Sequence, residues 1–153
     1  MKLESPAFSE GAPIPKRFSC EGSDRSPALA WRDVPPSTRS FAATCEDPDA
    51  PGGTWVHWVI YGIPATAASL PEGVAAEPRL ADGTMQGKNS WGRIGWGGPC
   101  PPPGKPHRYV FKLMALGDTK ALEPGMTLQA LDKAATARAL ALATTMGTYA
   151  RAR

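Results

Sequence analysis

Seventeen prolines and sixteen glycines are spread over the 153 residues of this chain and cut it into short segments. Proline removes a backbone donor and glycine weakens regular elements, which argues against a helical bundle or a doubly wound α/β sheet. The pattern fits a mainly β fold, a β-sandwich of short strands joined by long loops. At this length one domain spanning residues 1–153 is expected, burying about two thirds of the surface that the unfolded chain would expose. The sequence shows no internal repeat and no linker that would divide it.

Strand patterning is clearest in 54-TWVHWVIY-61 and 107-HRYVFKLMAL-116, present in 39-RSFAATCE-46 and weaker in 28-ALAW-31. Alternation places Trp55, His57, Val59 and Tyr61 on one face of the 54–61 strand, and Thr54, Val56, Trp58 and Ile60 on the other. Both faces are largely apolar, which predicts an interior strand. In 107–116, His107, Tyr109, Phe111, Leu113 and Ala115 share a face, while Arg108, Val110, Lys112 and Met114 point the other way. The connection 82–107 is too rich in Gly and Pro for regular structure. Loops of that length usually bind something, and Trp91, Trp96 and Cys100 argue against disorder.

In the tail, Thr127 is a predicted N-cap for a helix that carries Leu128, Leu131 and Ala135 on one stripe. From Ala139 to Tyr149 the pattern fits a continued helix ending at Gly147 and an alternating strand nearly equally.

A formal charge of +3 with scattered basic residues is too mild for a nucleic-acid footprint. The N-terminal segment 1–15 has two acidic residues and three prolines where a secretory signal needs an apolar run, and no stretch approaches transmembrane length. A soluble, cytoplasmic protein is expected. Cys20, Cys45 and Cys100 are odd in number and lack metal-ligand spacing, a usage that fits reduced thiols better than a disulfide framework.

The chemistry concentrates in two stretches. The first, 47-DPDAPGGTWVHW-58, combines two carboxylates, two prolines and a histidine. Asp before Pro is a common turn starter, so Asp49 and Pro51 fit a rigid turn. A carboxylate at Asp47 could hold one nitrogen of His57 and leave the other for a ligand. The second stretch, 98-GPCPPPG-104, has its few amides, at Gly98, Cys100 and Gly104, isolated by prolines and preset to meet an oxyanion or phosphate, with His107, Arg108 and Tyr109 just beyond. The two His and two Asp match no zinc or iron spacing, and no nucleophile elbow, phosphate-binding P-loop or dinucleotide fingerprint is present; no metal or cofactor is expected. Cys100 is the single candidate nucleophile.

Three stretches, 18-FSCEGSDRSPALAWRDVPPSTRSFA-42, 45-CEDPDAPGGTWVHWVIYGIP-64 and 89-NSWGRIGWGGPCPPPGKPHRYVFKLMAL-116, together with 146-MGTYAR-151, resemble the phosphatidylethanolamine-binding proteins, also called Raf-kinase-inhibitor-like proteins, in their bacterial branch. The resemblance implies a β-sandwich of two antiparallel sheets with few short helices, and a small pocket for phosphoryl anions. It places Asp47, Trp55, His57, Gly98, Cys100, His107 and Tyr109 in that pocket, with the Cys100 position offering its backbone N–H. Asp49 and Pro51 would shape the turn and Arg108 would brace it from the opposite face. It also implies that Ala139 to Tyr149 is a strand, and makes a homodimer an expected assembly. Trp91 and Trp96 stand where bacterial relatives more often carry Phe and Tyr, and Arg138 where many carry His.

The expected function is a binding module rather than an enzyme: capture of phosphate or a phosphoryl head group, as in lipid binding, or regulation of a protein kinase or protease partner. The alternative is a hydrolase acting on a phosphoester or acyl group, with Asp47, His57 and His107 as acid and base.

Overall fold

Ten residues of strand from His107 to Leu116 form the spine on which the molecule is built, paired on one side with the first half of the chain and on the other with its C-terminal strand. The computed structural model describes residues 1–152. In chain order the elements are β1 (Lys2–Glu4), β2 (Leu29–Arg32), β3 (Ser40–Asp47), β4 (Trp55–Pro64), β5 (Ser69–Leu70), β6 (Met85–Gln86), β7 (His107–Leu116), α1 (Leu128–Ala135) and β8 (Ala139–Tyr149). They form two antiparallel sheets, β1-β2-β5 and β6-β4-β3-β7-β8. The mainly β class and the paucity of helix follow the expectation from proline and glycine.

The principal core lies between the sheets. Leu3, Leu29, Trp31 and Leu70 of the small sheet meet Phe41, Trp58, Ile60, Tyr109, Phe111 and Leu113 of the large one. Phe41 and Phe111 are fully buried, and each such side chain contributes about 1.5–3 kcal/mol by leaving water. On the outer face of the large sheet, Val59, Tyr61, Met114 and Leu116 are covered by Leu131 and Ala135 of α1. Thr127 caps that helix, its side chain accepting from the Ala130 N–H at 3.2 Å.

Strict alternation fails in β4, and the failure shapes the site. Glu46 pairs with Val56 but Cys45 pairs with Trp58, so His57 is one residue in excess. A second excess residue falls between Ile60 and Ile63, where Gly62 takes φ +62°, a left-handed conformation that suits glycine. The expected face of Trp55, His57, Val59 and Tyr61 is therefore split. Trp58, Ile60 and Ile63 face the small sheet, Val59 and Tyr61 face α1, and His57 stacks edge-on to Tyr109 of the inner core. A bulge turns the register by one residue, which lets His57 and Trp58 both serve the inner side. β4 is interior as predicted, though its outer neighbour β6 is only two residues long.

The connection from β6 to β7 covers the rest of the β4 edge. Gly87, Ser90 and Gly97 donate their N–H groups to the carbonyls of Val59, Val56 and His57 at 2.9, 2.8 and 2.9 Å. In the tail, Ala139–Tyr149 is a strand, the outcome the family resemblance implied. Its odd-numbered residues from Ala141 to Tyr149 turn inward, and it pairs with the whole of β7.

The cysteines overturn an expectation. Cys20 and Cys100 are joined in a disulfide with their Cα atoms 5.4 Å apart, and only Cys45 is a free thiol, fully buried. The two partners are 80 residues apart and lie on separate loops, so spacing carries no trace of their encounter. Reduced thiols consequently no longer support a reducing compartment. Among the described residues no helix is long and apolar enough to cross a membrane.

Candidate functional site

Strands β3, β4 and β7 are neighbours, and they bring Asp47, Trp55, His57, His107 and Tyr109 to the same end of the large sheet. The turn 48–54 rises on one side and the 87–106 connection on the other. Between them is a cleft of about 580 Å³, lined by these five residues and by Pro51, Ser90, Trp91, Cys100, Pro101 and Pro102. A slightly larger groove of about 650 Å³ runs between the N-terminal segment and β8, but it gathers no histidine.

The hydrogen bonding at the floor differs from the one expected. Asp47, only 3% exposed, does not hold His57; its Oδ2 accepts from His107 Nδ1 at 2.7 Å, and its Oδ1 accepts from the Asp49 N–H at 2.8 Å. The physical reason is the sheet order: β3 lies between β4 and β7, so a carboxylate at its end can reach either histidine, and nearness in sequence does not decide which.

His57 is held by the loop instead. Its Nδ1 lies 2.6 Å from the Gly97 carbonyl, which can only accept, so Nδ1 carries the proton and Nε2 is left as the acceptor nitrogen of the neutral ring. The ring is packed edge-on against Trp91 and Tyr109, with centroids 5.2 and 5.1 Å away, and Trp96 lies beyond at 6.5 Å. Burial pushes its pKa below the ordinary histidine value, outweighing the Gly97 hydrogen bond and the Asp47 charge, which oppose that shift.

Tyr109 is fully buried, and its hydroxyl is the one buried side-chain polar atom among the described residues without a hydrogen-bond partner. Desolvation drives its pKa far upward, and the Asp47 charge adds to the rise, so the phenol stays protonated. A native fold rarely leaves such a group unsatisfied, and this one belongs to a residue that lines the cleft. Across the opening, Trp55 and Trp91 are 37% and 40% exposed and meet edge to face with centroids 5.5 Å apart.

Three of the candidate residues lie outside the cleft lining. Asp49 forms a two-pronged ion pair with Arg108: Oδ1 accepts from Nη2 at 2.8 Å, while Oδ2 accepts from Nε at 3.0 Å and from the Arg108 amide at 2.9 Å. The pair clamps the 48–54 turn to the start of β7. The Arg108 guanidinium holds the Asp49 pKa down at about 2. Gly98 does not present its amide to the cleft: the N–H donates to Asp24 Oδ1 at 2.8 Å, because Asp24 (φ +57°) sits in a left-handed turn beside it. Gly104 is likewise engaged, by the Arg151 carbonyl at 3.4 Å. Cys100 does line the cleft, but its sulfur is bonded to Cys20, so it is no nucleophile; its backbone N–H has no acceptor among the described residues.

Sequence reasoning missed Ser90, whose Oγ accepts from the Val56 N–H at 2.7 Å, and the Gly97 carbonyl that fixes His57. Nothing in the local pattern marks either. Among the described residues no group of three or more His, Cys, Asp and Glu is placed to hold a metal ion.

The comparisons with known proteins agree with this architecture. The family model described as phosphatidylethanolamine-binding protein matches residues 4–150. A UPF0098 protein of Methanothermobacter thermautotrophicus is 43% identical over 99% of each chain. Among solved structures, a phosphatidylethanolamine-binding protein homolog from Chlamydia trachomatis superposes with a TM-score of 0.89 at 39% identity, covering 98% of this chain and 97% of that one. Escherichia coli YbcL, described as a member of the mammalian family, gives 0.89 at 36% identity over 98% of both. The chain belongs to the phosphatidylethanolamine-binding protein family.

Proposed function

We propose that this chain is a small-anion binding module whose cleft takes a phosphate or a phosphoryl group, with a regulatory role directed at a partner protein rather than a catalytic one. The observation that carries this reading is the Tyr109 hydroxyl, buried and unpartnered at the wall of a cleft that also holds His57 and His107. A phenol kept protonated, the free Cys100 amide and the histidine nitrogens together offer a ring of hydrogen-bonding groups to an oxyanion. Asp47 acts on the cleft through His107, whose Nδ1 proton it fixes. Trp55 and Trp91 form the exposed rim against which the remainder of a ligand, or the segment of a kinase or protease bearing it, would rest.

The hydrolase alternative, with Asp47, His57 and His107 as acid and base, retains its histidines but loses its thiol nucleophile to the disulfide. Ser90 remains as a hydroxyl on the wall, already accepting from Val56.

Tyr109→Phe separates a binding role from a structural one. Removing an unsatisfied hydroxyl is expected to leave thermal stability unchanged or raised, while phosphate affinity falls about tenfold, the value of one hydrogen bond to a charged ligand. Loss of stability with unchanged phosphate binding, both followed on the same preparation, would count against the proposal.

A further inference from the structure

The polar groups around the cleft are not those of a site for a fully ionised anion. Its lining contains no lysine and no arginine, and it includes the buried Asp47 carboxylate, which repels a dianion. His57 contributes an acceptor: the Gly97 carbonyl at 2.6 Å takes the Nδ1 proton, leaving Nε2 as the only free polar atom of a ring that is 2% exposed. Tyr109 contributes the opposite, a hydroxyl in need of an acceptor. A ligand that satisfies both must carry at least one bare oxygen and at least one O–H on the same small group.

We infer that the cleft selects phosphoryl ligands that still hold a proton on a phosphate oxygen, namely inorganic hydrogen phosphates and phosphomonoester monoanions, over sulfate and phosphodiesters. The inference rests on the anion-cleft reading above. A sulfate ion at neutral pH has only acceptor oxygens, so one of them would face His57 Nε2 lone pair to lone pair. A phosphodiester, the form in which phosphate occurs in an intact phospholipid head group, has the same defect. A phosphomonoester loses its second proton with a pKa of about 6, so near that pH it presents both oxygen types together. The P–OH donates to Nε2 of His57, and a bare oxygen accepts from Tyr109 and the Cys100 amide.

The groups acting on His57 are consistent with a neutral ring in this role. Burial among Trp91, Trp96 and Tyr109 is the largest influence and disfavours its protonation, while the backbone groups of Gly97 and Gly98 and the Asp47 and Asp24 carboxylates favour it. His107, the other histidine of the lining, is turned to Asp47 through Nδ1.

The test is a titration of the full-length, nitrogen-15-labelled protein at pH 6 with inorganic phosphate, O-phosphorylethanolamine, sulfate and glycerophosphorylethanolamine. The first two are expected to bind at least about tenfold more tightly than the last two, the penalty of one buried acceptor left facing another. Phosphate against O-phosphorylethanolamine distinguishes a free ion from a head-group monoester as the preferred source. In the bound state the His57 Nε2 resonance is expected to keep the shift of an unprotonated imidazole nitrogen.

Equal binding of phosphate and sulfate, or of monoester and diester, overturns this inference and leaves the anion cleft standing. So does appearance of a proton on Nε2 when phosphate binds, since the ligand would then be taken by an imidazolium. Binding of none of the four at millimolar concentration overturns the anion reading and this inference with it. His57→Phe, which removes the acceptor, is expected to bring phosphate and sulfate within about twofold of each other; should that variant fail to fold, the wild-type nitrogen shifts decide.

Discussion

The two walls of the cleft are held by different forces. Asp47, His57, His107 and Tyr109 sit at the ends of β3, β4 and β7, where the ladder fixes Asp47 opposite Trp55, His107 opposite Tyr149 and Tyr109 opposite Gly147. Ser90, Trp91 and Cys100 to Pro102 lie on the 87–106 connection, which has no ladder of its own. That wall is held by clamps. The Asn89 Oδ1 accepts from the Trp91 and Arg93 amides at 3.0 and 3.2 Å, the Trp96 indole donates to the Phe18 carbonyl at 3.1 Å, and Cys20–Cys100 ties the loop to the N-terminal third. His57, His107 and Tyr109, three of the groups proposed to meet the anion, are on the strand wall with Trp55, whereas the fourth, the Cys100 amide, is on the clamped wall with Trp91.

The largest expected effect follows from this division. Phe111→Ala removes a fully buried ring from beneath the strand wall and is expected to lower stability by about 3–5 kcal/mol. Trp91→Ala removes a ring that is 40% exposed and is expected to cost about 1–3 kcal/mol, near the value of its two edge-to-face contacts with Trp55 and His57. Urea unfolding of both variants measures the contrast. Comparable losses would show that the loop wall is part of the core after all.

Next in size is the covalent clamp. Replacing both Cys20 and Cys100 with Ser, or reducing the bond, is expected to cost about 2–4 kcal/mol, as for a disulfide closing a long loop. Because the strand wall has its own ladder, the Asp47–His107 hydrogen bond is expected to survive, seen as an unchanged His107 Nδ1–H resonance. Its loss would show that the two walls are one cooperative unit.

The same division decides what could be read in the sequence. β7 was legible to the residue, because His107 to Leu116 is a clean alternation with Gly and Pro outside it, and the side facing the core, Tyr109, Phe111, Leu113 and Ala115, follows from period two. β4 was legible as a strand but not by face, since an extra residue at His57 and another beside Gly62 leave no mark in a hydrophobic pattern. The tail was ambiguous on its own residues, because alternate Ala and Thr suit helix and strand alike; pairing with β7 settles it. Least legible were the contacts across the sequence. Asp47 meets a histidine 60 residues away rather than the one ten residues on, Gly98 spends its amide on Asp24, and Cys20 finds Cys100. Each of these is a product of the assembled sheet and of loops folded over it.

The smallest expected effect concerns the turn that joins the walls. Asp49 and Arg108 pair through two prongs, and the carboxyl pKa is held at about 2, against an unfolded value near 3.9. A group whose pKa is depressed by folding stabilises the native state above its unfolded pKa, and that stability is lost as the pH falls through the folded value. The Asp49 contribution is therefore expected to be complete at pH 5 and to vanish between about pH 4 and pH 2. Both side chains are substantially exposed, so solvent and salt screen the pair, and Asp49→Asn is expected to cost no more than about 1 kcal/mol at pH 7. Two measurements check it: stability of wild type against Asp49→Asn from pH 2 to pH 7, and the same difference at high salt. The curves should converge at the acid end, and the gap at neutral pH should shrink with salt. A gap that persists at pH 2 or ignores salt would mean that Asp49 stabilises through turn geometry alone, as an acceptor for the Arg108 amide, and that the charge of the pair is incidental.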